Sequence, residues 1–93
     1  MHTGTKTNSE SWCVYVLRCR NNSLYIGMTN NLEKRIEKHK LGTGSKFVRS
    51  WRPFELLKTI PCKNEGEARR LERDLKKLTR KKKIEVLELG MGR

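Results

Sequence analysis

The apolar positions of this chain change period several times, and each change marks an element. Trp12 to Cys19, WCVYVLRC, is a nearly continuous run of β-branched and aromatic residues, and Ser23 to Met28, SLYIGM, is a second; both read as strands. Arg20-Asn21-Asn22 between them suits a turn, because asparagine tolerates left-handed backbone geometry. Loop length decides which side chains share a face. A two-residue turn would pair Arg18 with Tyr25 and leave Tyr15 and Tyr25 on opposite faces. A three-residue loop with Asn22 left-handed in a bulge pairs Leu17 with Tyr25 and Tyr15 with Gly27. The tyrosines are then diagonal neighbours on one face, and this register is the one expected.

From Asn30 the period becomes helical. Asn30 suits an N-cap, with Glu33 as an imperfect capping box, and the stripe runs Leu32, Arg35, Ile36, His39. Gly42-Thr43-Gly44 ends this helix, and Ser45 to Trp51 is a basic connector with room for one helical turn. After Pro53, FELLKTIP reads as a third strand in which Phe54, Leu56 and the adjacent Leu57 are partly buried. Asn64 with Glu67 repeats the cap pattern ahead of a helix striped by Ala68, Leu71, Leu75 and Leu78, with Glu72 on its flank. Thr79 suits the cap of a last helix, where Ile84 and Leu87, with Val86 as a further candidate, pack back. The order hairpin, helix, strand, helix, helix implies an α+β fold: a three-stranded, largely antiparallel sheet flanked by helices. Residues 1–11 read as a disordered lead rich in Ser, Thr and Asn, 12–89 as one domain and 90–93 as a tail.

Charge narrows the partner. Lys and Arg number 22 against 10 Asp and Glu, giving +12 and a pI near 10.1. So large an excess repels itself and suits a polyanionic partner, nucleic acid first. No run reaches the ~18 apolar residues of a membrane span, and the first eleven residues lack the apolar segment of a secretory signal. Cys13, Cys19 and Cys62 lack both paired C-x-x-C spacing and histidines at ligand spacing, so neither a disulfide framework nor a zinc site is expected. Reduced thiols in a cytoplasmic protein are the simplest reading.

Several residues can carry chemistry, and each has a plainer explanation beside it. Tyr15, Tyr25 and Gly27 share a hairpin face where a phosphate or a backbone could approach, or they are simply a packed sheet edge with a bulge glycine. Arg35 and His39, spaced i,i+4, lie on the apolar face of their helix. Arginine can grip a phosphate with two parallel hydrogen bonds and histidine can move a proton near neutrality, but both can also snorkel at a stripe's margin. Glu72 can serve as a carboxylate for Mg²⁺, which needs only one or two from a protein, or merely pair with Lys76 one turn on. Lys46, Arg49 and Arg52 in the connector, and Lys76, Arg80, Lys81 and Lys82 further on, are candidate nucleic-acid-binding residues or a solvated basic surface. Trp51 either stacks on a base or anchors the connector, and anchoring is favoured.

Taken together, VYVLRCRNNSLYIGMTNNLEKRIEKH followed by RRLERDLKKL resembles the GIY-YIG (URI-type) endonuclease superfamily, in particular its small stand-alone bacterial branch, and GTGSKFVRSWRP (Gly42 to Pro53) matches that branch's connector. The likeness covers Trp12 to Leu89. It places Tyr15 at the tyrosine of the first half-motif, Tyr25 and Gly27 in the second, Arg35 at the catalytic arginine, His39 at the His/Tyr position one turn later and Glu72 at the metal-binding glutamate. Two departures stand out: Cys13-Val14-Tyr15 lacks the first half-motif's glycine, and Met28 stands where several active members carry lysine.

The resemblance implies a β-β-α-β-α-α fold and Mg²⁺- or Mn²⁺-dependent hydrolysis of DNA phosphodiesters, with branched or nicked DNA as candidate substrates and repair or recombination as candidate settings. In that scheme Glu72 holds the cation, Arg35 steadies the phosphate or the attacking water, and Tyr25 orients the water or the phosphate. Tyr15 is the candidate general base with its proton drawn toward His39, the division between those two being open. Specificity would come from DNA shape or a partner protein. Two competing readings are a catalytically weak or inactive nucleic-acid-binding module of the same fold, and an RNA-associated basic protein.

Overall fold

The computed structural model describes residues 11–90, so the expected lead and tail fall, Ser11 and Gly90 apart, outside the described residues. The order is β1 (Cys13–Cys19), β2 (Leu24–Thr29), α1 (Leu32–Leu41), α2 (Lys46–Ser50), β3 (Phe54–Pro61), α3 (Glu65–Lys76) and α4 (Arg80–Val86). The strands form one antiparallel sheet in the order β2-β1-β3, with the first strand at its centre.

That central place explains the apolar run of β1. Val14 and Val16 face one side with Ile26, where Ala68 and Leu75 of α3 and Leu87 after α4 close the core. Tyr15, Leu17 and Cys19 face the other, under Val48 of α2 and beside Leu32 and Ile36 of α1. A strand covered on both faces has no use for alternation. The fold is thus a three-stranded antiparallel sheet between two helical layers, the α+β class expected.

The three-residue loop is present. Asn22 sits at φ 71 and donates its N–H to the Cys19 carbonyl, giving the pairs Leu17↔Tyr25 and Tyr15↔Gly27. Three local expectations are corrected. The cap of α1 is Asn31, whose side chain accepts from Lys34 N at 3.1 Å; Thr29 Oγ1 accepts Asn31 N–H at 3.0 Å and leaves Asn30 in the turn, so Glu33 closes no capping box. In β3 a bulge lies opposite Val16/Leu17, which pair with Lys58 and Leu56, so Leu57 is the extra residue. Leu57 packs toward α3 while Leu56 stays exposed at the sheet edge. Val86 is also exposed, leaving Leu87 as the residue of that segment that packs back fully. Gly42 ends α1 at φ 83, a left-handed position where glycine is least strained. No helix among the described residues is long and apolar enough to cross a membrane.

Candidate active site

The register of the hairpin lays the Tyr15 ring across its cross-strand partner Gly27. A Cβ there would come within 2.5 Å of Tyr15 Cζ, so glycine is needed to admit the phenol rather than an incoming phosphate. Tyr25, diagonal on the same face, has its ring centroid 6.4 Å from that of Tyr15. Above them α1 brings in the polar members of its stripe. His39 is fully buried, with Nε2 2.8 Å from Tyr15 Oη and its ring edge-on to Tyr25 at 5.5 Å and to Phe54 at 6.0 Å. Arg35 donates from Nε to Tyr15 Oη at 3.4 Å and from Nη2 to the Gly44 carbonyl at 3.2 Å.

Hydrogen accounting fixes the direction of the central bond. Tyr15 Oη already accepts from Arg35, so its own hydrogen goes to His39 Nε2, and Nδ1 carries the ring hydrogen. The reverse tautomer would strand both the phenol hydrogen and a nitrogen lone pair, whereas this one leaves only Nδ1 without a partner among the described residues. Nδ1 faces Gly44, where a Cβ would stand 2.7 Å away.

Burial sets the protonation states. It pushes the Tyr15 phenol up to about 12 against the opposing hydrogen bond from Arg35, with the charges of Tyr25 and Glu72 adding to the rise. Burial, then the Arg35 charge, lowers His39 from its usual 6.5. The hydrogen bond Arg35 donates to Tyr15 leads the causes that raise its own pKa, so the guanidinium stays charged. The cluster at neutral pH is therefore a neutral phenol, a neutral imidazole that accepts the phenol's hydrogen bond, and a fixed cation on the phenol oxygen.

The structure brings Tyr15, Tyr25, Gly27, Arg35 and His39 together. Glu72, on α3, makes no hydrogen bond to that cluster among the described residues, although its charge adds to the rise of the Tyr15 pKa. Its side chain is 21% exposed, with Oε2 3.2 Å from Lys76 Nζ, and Oε1 has no hydrogen-bond or ion-pair partner among the described residues. No group of three His, Cys, Asp or Glu side chains suited to a metal occurs among the described residues. A single half-buried carboxylate with a free oxygen fits an open Mg²⁺ or Mn²⁺ site completed by water and substrate phosphate. Met28 turns to the α3 side and packs in the core there, so the lysine position of the resemblance points away from Tyr15.

Of the candidate nucleic-acid contacts, Lys46, Arg49 and Lys81 are exposed, and their side chains are tied to nothing among the described residues. The others are partly committed. Arg52 donates to the Arg49 and Lys40 carbonyls, Arg80 to Asn22 O, Lys76 pairs with Glu72 and Lys82 with Glu85. Trp51 anchors as expected: it packs on the Leu17 side of the core, and its carbonyl accepts from Arg20 N.

Four residues escaped the sequence reading. Gly44 looked like a helix stop, yet it makes room for His39 and holds Arg35. Phe47 is an exposed ring stacked on Tyr25, 6.3 Å between centroids and 12° between planes. Lys34 and Lys38 line, with Arg35, a cleft of about 200 Å³ at the start of α1. Their i,i+4 spacing was visible, but lysines at that spacing occur on many solvated helix faces.

Comparison with known proteins agrees with this geometry. A model of the GIY-YIG catalytic domain matches residues 11–85. A UPF0213 protein of Oceanobacillus iheyensis is 44% identical over 79 residues, which is 85% of this chain and 92% of that protein. A UPF0213 protein of Clostridium perfringens is 45% identical over 74 residues, 80% of each chain. Among solved structures, the solution NMR structure of a UPF0213 protein from Bacillus halodurans superposes with TM-score 0.58 at 38% identity, covering 88% of this chain and 87% of that one. The solution NMR structure of a protein from E. faecalis gives TM-score 0.64 at 37% identity, covering 87% and 86%.

Proposed function

The chain belongs to the GIY-YIG family, in the branch of the small UPF0213 proteins, and from that premise we propose that it is a DNA endonuclease dependent on Mg²⁺ or Mn²⁺. It acts in the cytoplasm on branched or nicked DNA during repair or recombination, with selectivity from DNA shape or a partner protein. The observation that carries this reading is the Arg35–Tyr15–His39 chain of hydrogen bonds, buried beside a basic surface.

A phenol pushed up to about 12 is a poor free base at neutral pH. Tyr15 therefore takes a proton from the attacking water only as its own passes to His39 Nε2, so the pair works as one relay. Arg35 holds negative charge on the phenol oxygen during that transfer and has further N–H groups for the phosphate. Tyr25 borders the same space and orients the water or the phosphate. Glu72 is the residue that would hold the divalent ion, which when bound supplies Lewis-acid stabilisation of charge on the leaving oxygen.

Positioned general-base catalysis contributes roughly 10²–10⁴ in rate, so Tyr15→Phe should lose about that much. The test incubates fluorescent duplex, nicked and branched DNA with Mg²⁺ or Mn²⁺, comparing the parent chain with Tyr15→Phe and Glu72→Gln. Cleavage that both substitutions abolish supports the reading. Absence of cleavage, or cleavage indifferent to Glu72→Gln, would sink it. Binding without cleavage favours a binding module of the same fold, for which the pairing of Glu72 with Lys76 is the supporting observation.

A further inference from the structure

A second cationic feature lies on the other side of His39. Arg20, Lys40, Arg49 and Arg52, with Phe54 at the base, line a cleft of about 670 Å³ that contains no acidic residue. Its two central arginines are each held by two backbone carbonyls. Arg20 donates from Nε to Arg52 O at 2.8 Å and from Nη2 to Ser50 O at 3.4 Å, with its guanidinium 5.4 Å from the centroid of the Trp51 ring. Arg52 donates from Nε to Arg49 O at 3.1 Å and from Nη1 to Lys40 O at 2.9 Å. Arg18, Arg69 and Arg73, by contrast, face carboxylates.

Carbonyl partners fix a guanidinium without neutralising it. Each of these two keeps its full charge and, of the five N–H groups every arginine carries, three unspent. Rigid forks of this kind match the oxygens of a phosphate, and the ordering cost is met in advance. Exposed Lys40 and Arg49 add two more charges with no ion-pair partner among the described residues.

We propose that this cleft binds a backbone phosphate of the nucleic-acid strand, flanking the phosphate presented to Tyr15 and Arg35. The proposal rests on the nuclease reading for its ligand. Arg35 and Lys40 are five residues apart on α1, an axial rise of about 7.5 Å, comparable to the advance of two nucleotides along a duplex axis at about 3.4 Å each. Phe54 both lines the cleft and packs edge-on against His39, so the two sites share a wall.

Binding in EDTA separates this from catalysis. Fluorescence anisotropy of a labelled duplex and a labelled single strand, across about 50 to 200 mM salt, compares the parent with Lys40→Gln/Arg49→Gln. Those two side chains hold no bond within the described residues, and thermal melting checks that the fold survives. One lost phosphate contact lowers the slope of log affinity on log salt by about one. The ¹⁵N signals of Arg20 and Arg52 Nε–H should shift on adding the strand. An unchanged slope, or unmoved arginine signals in a bound complex, would overturn the proposal. So would inorganic phosphate shifting those signals where the strand does not, which marks a small-anion site instead. Failure of the parent to bind any nucleic acid would refute the nuclease reading together with this one. Tight binding without cleavage refutes only the catalytic reading.

Discussion

Gly27→Ala tests the centre of the site with one methyl group. That methyl would lie 2.5 Å from Tyr15 Cζ, and closer still to the hydroxyl, where ordinary contact begins at 3.4 Å, so the ring must retreat by about 0.9 Å. There is no slack for this. Toward His39 the hydrogen bond is already 2.8 Å, and away from it the bond is lost. The chain takes the cheaper of two penalties: overpacking at about 1–3 kcal/mol, or an orphaned buried hydrogen bond at about 1–3 kcal/mol. A loss of about 1–3 kcal/mol in urea unfolding is therefore expected, not their sum. Catalysis suffers as well, since misplacing a reacting group by about 1 Å can cost on the order of 10²-fold. Single-turnover cleavage of a fluorescent substrate measures that factor. A cycle of variants locates the cause. Tyr15→Phe leaves Cζ in place, so the alanine stays destabilising in that background, whereas Tyr15→Leu removes the ring and should make it nearly neutral. A Gly27→Ala protein within about 0.5 kcal/mol of the parent and equally active would refute the reasoning.

Three further outcomes follow from the same geometry. His39 has its pKa lowered by burial and then by the Arg35 charge, so the unfolded chain takes up the proton first as pH falls. Stability should be full above 6.5 and decline below it toward the folded-state value, an acid slope that urea titrations across pH would detect and that His39→Gln should remove. The acid limb of cleavage should likewise lie below the ordinary histidine range. Lys76→Gln frees Glu72 from its ion pair and should tighten Mn²⁺ binding in calorimetry several-fold, while Glu72→Gln should abolish it. Asn31→Ala should cost about 1 kcal/mol in thermal or urea unfolding, as loss of a cap does, whereas Asn30→Ala should cost little.

Much of this molecule is decided by near neighbours, and the sequence alone determined those parts. Strand and helix periods, the glycine stop at Gly42, and the parity of the Arg20–Asn22 loop follow from interactions within a few residues. So does the fact that Arg35 and His39 share the inner face of α1, and that an excess of cations suits an anionic partner. Local chemistry also explains the misplaced cap, because two adjacent asparagines are equally suited to it and only the Thr29 turn chooses between them.

Tertiary docking decided the rest. The placement of β1 between its partners makes both its faces interior, and the bulge at Leu57 separates two leucines that look equivalent in the chain. Gly27 is glycine because a phenol crosses it, and Gly44 because an imidazole from α1 backs against its bare Cα. Arg20 and Arg52, thirty-two residues apart, become a rigid anion cradle only when carbonyls of the connector and of α1 fold around them. Such partners meet through the packing of helices on a sheet, and one sequence carries the identities of those side chains but not the distances between them.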